Sequence, residues 1–254
     1  RKPIDLEAMS RTLKEVPFET VSMDFIFALP GQTFQNLKRD ADLAFSHGAN
    51  HIAIYPFIDF TFTKSKLSAM EKKCKKKLLD AITRYFEAKG YERNSIWTFS
   101  KKQAGGYSSM TRDTFLGFGC SAATLLKRQF KINTFSVEAY CKQVKRGRLP
   151  TALTLRFSMR QRMVYYLFWK LYSTCLDAQE FEKFFHISLN RVYGLEFFLL
   201  QRLGFLRKRK NIYEMTLKGA FYYHYYENFY TLSYIDGMWN LMGRQSFPKE
   251  LKLG

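Results

Sequence analysis

The residues that could do chemistry are few, and their spacing narrows what that chemistry is. Cys74, Cys120, Cys141 and Cys175 are separated by 46, 21 and 34 positions. No CxxC or CxxxCxxC group results, so neither a self-contained zinc site nor a complete cluster-binding motif can be read in this chain. Reduced thiols of a cytosolic protein are the expectation. His47, His51, His186 and His224 show no metal-ligand spacing and read as structural. Gly117 and Gly119 form only a GxG, because the further glycine a dinucleotide fingerprint needs is Ala122; a tight turn with small packing residues is expected. Asp24 stands in a β-rich run, VSMDFIFAL over 21–29, that Pro30-Gly31 closes.

The elements that must position these groups start with two helix–strand repeats. Residues 4–16 carry apolar positions at helical spacing and 21–29 is a strand. Thr33 caps a helix, FQNLKRDADLAFSHG, and 51–57 (HIAIYPF) is a second buried strand. Strand, helix and strand within about forty residues predict a parallel βαβ unit. Ligands of such sheets sit at the strands' C-terminal ends, here around 24–32 and 55–59.

A third helix is expected over 68–89. Its run Lys72 to Lys77 is tempting as a polyanion patch, but Leu67, Met70, Cys74, Leu78, Ile82 and Phe86 fall on one face, so the lysines read as its solvated side. Residues 91–99 are expected extended, followed by a loop around Gly105-Gly106. Thr134 or Ser136 caps a helix to Arg146, and a domain boundary is placed near Leu149, giving domains 1–149 and 150–254. Beyond it Ser158, Asp177 and Ser188 cap three helices. Residues 205–215 make a two-stranded wing and an aromatic helix runs through Met242, which together predict a winged-helix-like module.

Composition sets outer limits. The 254 residues are 46% hydrophobic and 25% charged, ordinary globular usage that excludes disordered and collagen-like classes. The net charge of +19 predicts attraction to polyanions or anionic small molecules. No apolar run is long enough to cross a bilayer, so no membrane insertion is expected. The chain opens with Arg1 and carries no apolar signal region, and an N-terminally incomplete chain is expected. A nucleic-acid-binding winged helix is one candidate function, with Arg202, Arg207, Lys208, Arg209 and Lys210 on phosphates. Against it, the helix that would read bases is mostly apolar. The stripe Tyr222, Tyr223, Tyr225, Tyr226, Phe229 and Tyr230 reads as core or domain interface before it reads as a stacking platform.

Asp24-Phe25-Ile26-Phe27-Ala28-Leu29-Pro30-Gly31-Gln32-Thr33 resembles the D-[LF]-I-[YF]-[GA]-L-P-x-Q-T segment of radical S-adenosylmethionine enzymes of the oxygen-independent coproporphyrinogen III oxidase family, haem chaperones included. His51 to Phe57 resembles the next barrel strand of that family. Leu116-Gly117-Phe118-Gly119-Cys120-Ser121-Ala122 is similar to its L-G-x-G-x-S/G-A loop, and Leu203 to Gly219, ending T-x-K-G, to its C-terminal helical domain. The likeness implies an α/β fold: the C-terminal part of a (β/α) partial barrel, then a mostly helical, winged-helix-like domain. It implies S-adenosylmethionine and a [4Fe-4S] cluster as cofactors, with the cluster ligands absent from this chain.

By the same resemblance Asp24 corresponds to a polar contact to S-adenosylmethionine, whose amino and hydroxyl groups suit a carboxylate. Its plainer role is a strand-end carboxylate satisfied by local amides. Ile58 and Ala123 fall where the family makes further backbone or apolar contacts. The implied activity is oxidative decarboxylation of propionates to vinyls, with haem carriage as the alternative, and without the CxxxCxxC motif this chain is expected to be inactive. A tetrapyrrole is the expected ligand, clamped through its carboxylates by basic groups such as Arg93, Lys101, Lys102 and Arg112. A cytoplasmic monomer is expected.

Overall fold

The structure, a computed structural model, describes residues 5–60, 68, 70–102, 104 and 112–249. Ile4, Leu67 and the loop expected around Gly105-Gly106 lie outside the described residues. The chain forms two compact units, Arg1–Asp59 with Ser65–Tyr107 and Phe60–Lys64 with Ser108–Gly254.

The first unit starts with α1 (Leu6–Glu15), whose N-cap Asp5 accepts a hydrogen bond from Ala8 N at 2.9 Å. Strand β1 (Ser22–Phe27), helix α2 (Phe34–Ser46) and strand β2 (His51–Pro56) are the expected βαβ unit, with β1 and β2 parallel and Ser22 opposite His51. Thr33 and Asn36 form a capping box at the start of α2. Pro30 and Gly31 occupy the turn closed by Gln32 N to Leu29 O at 3.0 Å. Just before it, the buried Ala28 takes a φ of +63°, a region open to Gly and uncommon for other residues. Asn50 closes the unit's lower end by accepting from Val21 N and donating to Glu19 O.

Helix α3 (Lys72–Ala88) leads to β3 (Glu92–Arg93) and β4 (Thr98–Ser100), and the sheet order is β1-β2-β4-β3 with β4 antiparallel to β2. The alternation of strand side chains divides the sheet into two faces. Phe27, Ile52, Ile54 and Phe99 are buried on the face that α2 and α3 cover, where Phe86 lies 4.7 Å from Phe99. The buried side of α3 differs from expectation: Lys75, Leu78, Leu79, Ile82, Thr83 and Phe86 face inward while Cys74 is exposed. Lys75 is therefore not part of the solvated face, and burial holds its ammonium below the ordinary pKa. Lys72, Lys73 and Lys77 are exposed as expected.

The second unit begins with a three-stranded antiparallel sheet in the order β5-β6-β7, built from β5 (Ala123–Leu125), β6 (Gln129–Asn133) and β7 (Thr151–Arg156), with α4 (Val137–Lys145) between the last two and capped by Ser136. Because β7 hydrogen-bonds to β6 and Thr134 N reaches Pro150 O, the chain does not separate at Leu149. The division by contacts falls between Tyr107 and Ser108 instead.

Helix α5 (Met159–Tyr172) starts from a Ser158–Gln161 capping box. Strand β8 (Cys175–Asp177), α6 (Ala178–Phe185) and α7 (Leu189–Arg202) follow, then the wing of β9 (Leu206–Arg209) and β10 (Ile212–Met215), in a sheet ordered β8-β10-β9. This helix, strand, two helices and wing are the winged-helix-like module. Leu176, Phe181, Leu189 and Tyr213 are its fully buried centre, at no more than 1% exposure. Asp177 caps α6, but the Ser188 side chain makes no cap bond, and a non-helical backbone at Tyr193 kinks α7. The terminal aromatic segment is α8 (Leu217–Tyr230), a π-helical turn at Thr231–Ile235, and α9 (Asp236–Arg244).

The T-x-K-G tetrad has a structural reason. Thr216 Oγ1 donates to Gly204 O at 2.8 Å and Lys218 Nζ to Leu203 O at 2.8 Å, so carbonyls left over at the C-terminal end of α7 find donors. Gly219 approaches the Phe205 carbonyl so closely that a Cβ would lie 2.1 Å from its oxygen.

Candidate functional site

In the first unit the face of the sheet opposite α2 and α3 is polar. Register places Ser22, Asp24 and Ile26 beside His51, Ala53 and Tyr55. Thr98 and Ser100 continue the same face from β4. Asp24, Ile26 and Tyr55 are exposed there, while His51, Thr98 and Ser100 are buried. Ser22 Oγ and His51 Nδ1 share a hydrogen bond at 2.8 Å. Burial holds the His51 imidazole below its ordinary pKa, and the negative charge of Asp24 pulls the other way.

Asp24 is the third of six residues in β1, short of the C-terminal end where ligands of such sheets sit. Its carboxylate is exposed and, among the described residues, accepts no hydrogen bond from a backbone amide. Ile58 lies just beyond β2, where Phe57 N meets Phe27 O at 2.8 Å, and is half-buried. Ala123 belongs to the second unit, as the first residue of β5.

Around Ala123 the glycine turn is a close approach of backbones. A Cβ on Gly117 would lie 2.1 Å from Ala123 O, and Gly117 N is held by Thr124 Oγ1 at 2.9 Å. Asn133 Nδ2 donates to the carbonyls of Gly117 and Gly119, and Tyr140 hydroxyl accepts from Gly119 N. This fixed turn borders an open cavity of about 550 Å³ lined by Arg112, Phe118, Ala122 and Ala123, among others. Phe118 stands at 84% exposure on its rim. Arg112 is at that rim, whereas Arg93 is unavailable to a ligand: its guanidinium donates to Ser95 O and Ile96 O, and burial pushes its pKa down to about 10.

No group of three or more His, Cys, Asp or Glu side chains among the described residues could hold a metal ion. Cys74, Cys141 and Cys175 are exposed free thiols and Cys120 is half-buried. These residues do not fit an iron-sulfur cluster, and no step is assigned through one. The exposed carboxylate of Asp24 does fit the amino or hydroxyl groups of a nucleoside cofactor.

The winged-helix module offers little to bases. Its α7 exposes Leu195, Phe198 and Leu199, and Arg202 lies over the Phe198 ring, 5.6 Å from its centroid. The stripe expected as core or domain interface is not core: Tyr222, Tyr225, Tyr226, Phe229 and Tyr230 are 40–60% exposed, and Tyr223 is half-buried. No described helix is long and apolar enough to cross a membrane.

No family model matches the chain. Among curated proteins it is 22% identical over 217 residues to the haem chaperone HemW of Bacillus subtilis, covering 81% of this chain and 57% of that protein. It is 22% identical over 165 residues to the anaerobic coproporphyrinogen III oxidase 1 of Cereibacter sphaeroides, covering 57% of this chain and 36% of that one. The chain therefore spans little more than half the length of the curated relatives it matches, or less. Among solved structures it is similar to coproporphyrinogen III oxidase HemN from Escherichia coli, described as a radical SAM enzyme, with a TM-score of 0.67, 15% identity, and coverage of 87% of this chain and 58% of that one. In sequence the chain is thus similar to a haem chaperone and to oxygen-independent coproporphyrinogen III oxidases, and in fold to the solved oxidase HemN.

Proposed function

We propose that the chain is the C-terminal portion of a cytoplasmic, monomeric radical S-adenosylmethionine oxidoreductase that converts tetrapyrrole propionates to vinyls. The observation that carries this is the exposed carboxylate of Asp24 on the polar face of a parallel β1–β2 pair, within the 24–33 segment that resembles the motif of that family. Asp24 holds the amino or hydroxyl groups of S-adenosylmethionine, and Ile58 supplies a backbone or apolar contact to it. The bound cofactor supplies the oxidising equivalent in this family. This chain's own residues bind and orient it. The four cysteines are too dispersed to gather a cluster, so the 254 residues alone do not cleave the cofactor.

A second reading, haem carriage, is favoured by one observation: the match to the haem chaperone runs over 217 residues, against 165 for the oxidase. Equilibrium titration with S-adenosylmethionine tests the shared part. Asp24→Asn is expected to weaken binding about tenfold, the value of one charge-assisted hydrogen bond. Unchanged affinity would remove Asp24 from the site. Iron and sulfide reconstitution of the chain should give no cluster absorbance and no cleavage, and the appearance of both would overturn the inactivity.

A further inference from the structure

The second unit contains a cavity of about 450 Å³, within the size range of small-molecule sites, that no part of the proposed cofactor site uses. One wall is α5, which presents Val164, Tyr165, Phe168 and Trp169 at the three- and four-residue spacing of a single helical face. Phe130 and Phe157 close a second side, with ring centroids 5.9 and 5.4 Å from that of Tyr165. Tyr226 and Tyr230 form the third, still 58% and 40% exposed. The walls are held in place without a ligand: Tyr223 hydroxyl donates to Phe168 O at 2.8 Å and so ties α8 to α5.

Two further features separate this cavity from a packing defect. The helix carrying Tyr230 passes directly into the π-helical turn Thr231–Ile235, and Ile235 from that turn lines the cavity. Such turns are rare and concentrate at functional sites. Arg160 is the only charged residue among the described ones that line it, and it is exposed and makes no ion pair among the described residues. Aromatic walls favour a flat π-system laid against them, and a lone guanidinium at the rim favours a carboxylate at the ligand's edge.

We propose that this cavity binds a planar, carboxylate-bearing tetrapyrrole, with the ring against the Tyr165–Trp169 wall and one propionate on Arg160. This rests on the haem-carriage form of the tetrapyrrole reading above, since a porphyrinogen is not planar, and assigns that ligand to a place in the second unit. Coproporphyrin III and its tetramethyl ester, titrated into the full 254-residue chain, test it through porphyrin absorbance and tryptophan quenching. The exposed Val164→Trp should weaken both ligands about tenfold by filling the cavity. Arg160→Gln should weaken the free acid about fivefold and leave the ester unchanged. Quenching should fall in Trp169→Phe, because Trp169 lines the cavity whereas Trp97 is 1% exposed in the first unit and Trp239 does not line it. Thermal unfolding of each variant verifies that it is folded. Porphyrin binding that survives both Val164→Trp and Arg160→Gln would overturn this site and leave the tetrapyrrole reading standing. Failure of the unaltered chain to bind either porphyrin would overturn both. Equal loss of acid and ester in Arg160→Gln would overturn the carboxylate contact.

Discussion

The two units solve the problem of an apolar sheet face in different ways. In the first, α2 and α3 bury one side of a four-stranded sheet and leave the other polar, with Asp24, Ile26 and Tyr55 at the surface. In the second, the winged module buries its small sheet within an aromatic core, and its exposed apolar surface is displaced onto helices α7 and α8. The difference teaches where each unit can hold a ligand. The first offers polar groups on a rigid sheet, suited to a hydrophilic cofactor, and the second offers rings around a cavity, suited to an apolar one.

Several changes would sharpen that contrast. The largest effect is expected from Phe181→Ala, which empties the fully buried centre of the winged module and should cost about 3–5 kcal/mol in chemical denaturation, with loss of amide protection in α6 and α7. Gly117→Ala places a Cβ against Ala123 O and should cost about 2 kcal/mol or more while disturbing the turn beside the candidate contact. Equal stability would mean that the turn is plastic.

A smaller effect concerns acid stability in the first unit. Partial burial raises the Asp42 pKa, but hydrogen bonds from Tyr85, Lys89 and Lys38 outweigh it and bring the carboxylate down to about 2. A depressed folded-state pKa stabilises the unit above the unfolded value of 3.8 and is lost as the pH falls from there towards 2. Asp42→Asn should therefore remove about 1 kcal/mol at neutral pH, after discount for solvent screening, and flatten the acid limb of the unfolding curve. The smallest expected effect is a pH trend at His51. Its folded-state pKa is lowered by burial, so stability should fall as the pH drops through the ordinary histidine range near 6.5, and His51→Gln should abolish that slope.

Much of the first unit was legible because its signals are local. VSMDFIFAL ends at Pro30-Gly31, and Thr33 stands where a cap is needed, so the βαβ unit follows from neighbours in sequence. The C-terminal end of β1 falls at Phe27 rather than Leu29 because Ala28, though apolar, leaves the strand with a positive φ that its side chain does not announce. Strands β5 and β8 escaped notice because three residues carry too little alternation to register. β7 was hidden behind Pro150, which reads as a linker but sits at the start of a paired strand. Lys75 shows a different limit, since a long side chain on the buried face cannot be told from its exposed neighbours by type. The aromatic cavity was illegible in principle, because its walls come from residues 130 to 235 and converge only in three dimensions.

The π-helical turn at Thr231–Ile235 sets the angular phase of everything after it. Relative to α winding it accommodates one extra residue, and each residue of an α-helix advances the azimuth by about 100°. Deleting a single residue there would let the terminal segment run as one regular helix, and would turn Trp239, now 5.6 Å from Phe60 and 6.5 Å from Phe135 in the same unit, away from both rings. Length changes in this short stretch therefore act as a rotary adjustment: the same aromatic residues, unaltered in type, could be dealt to a different side of the molecule.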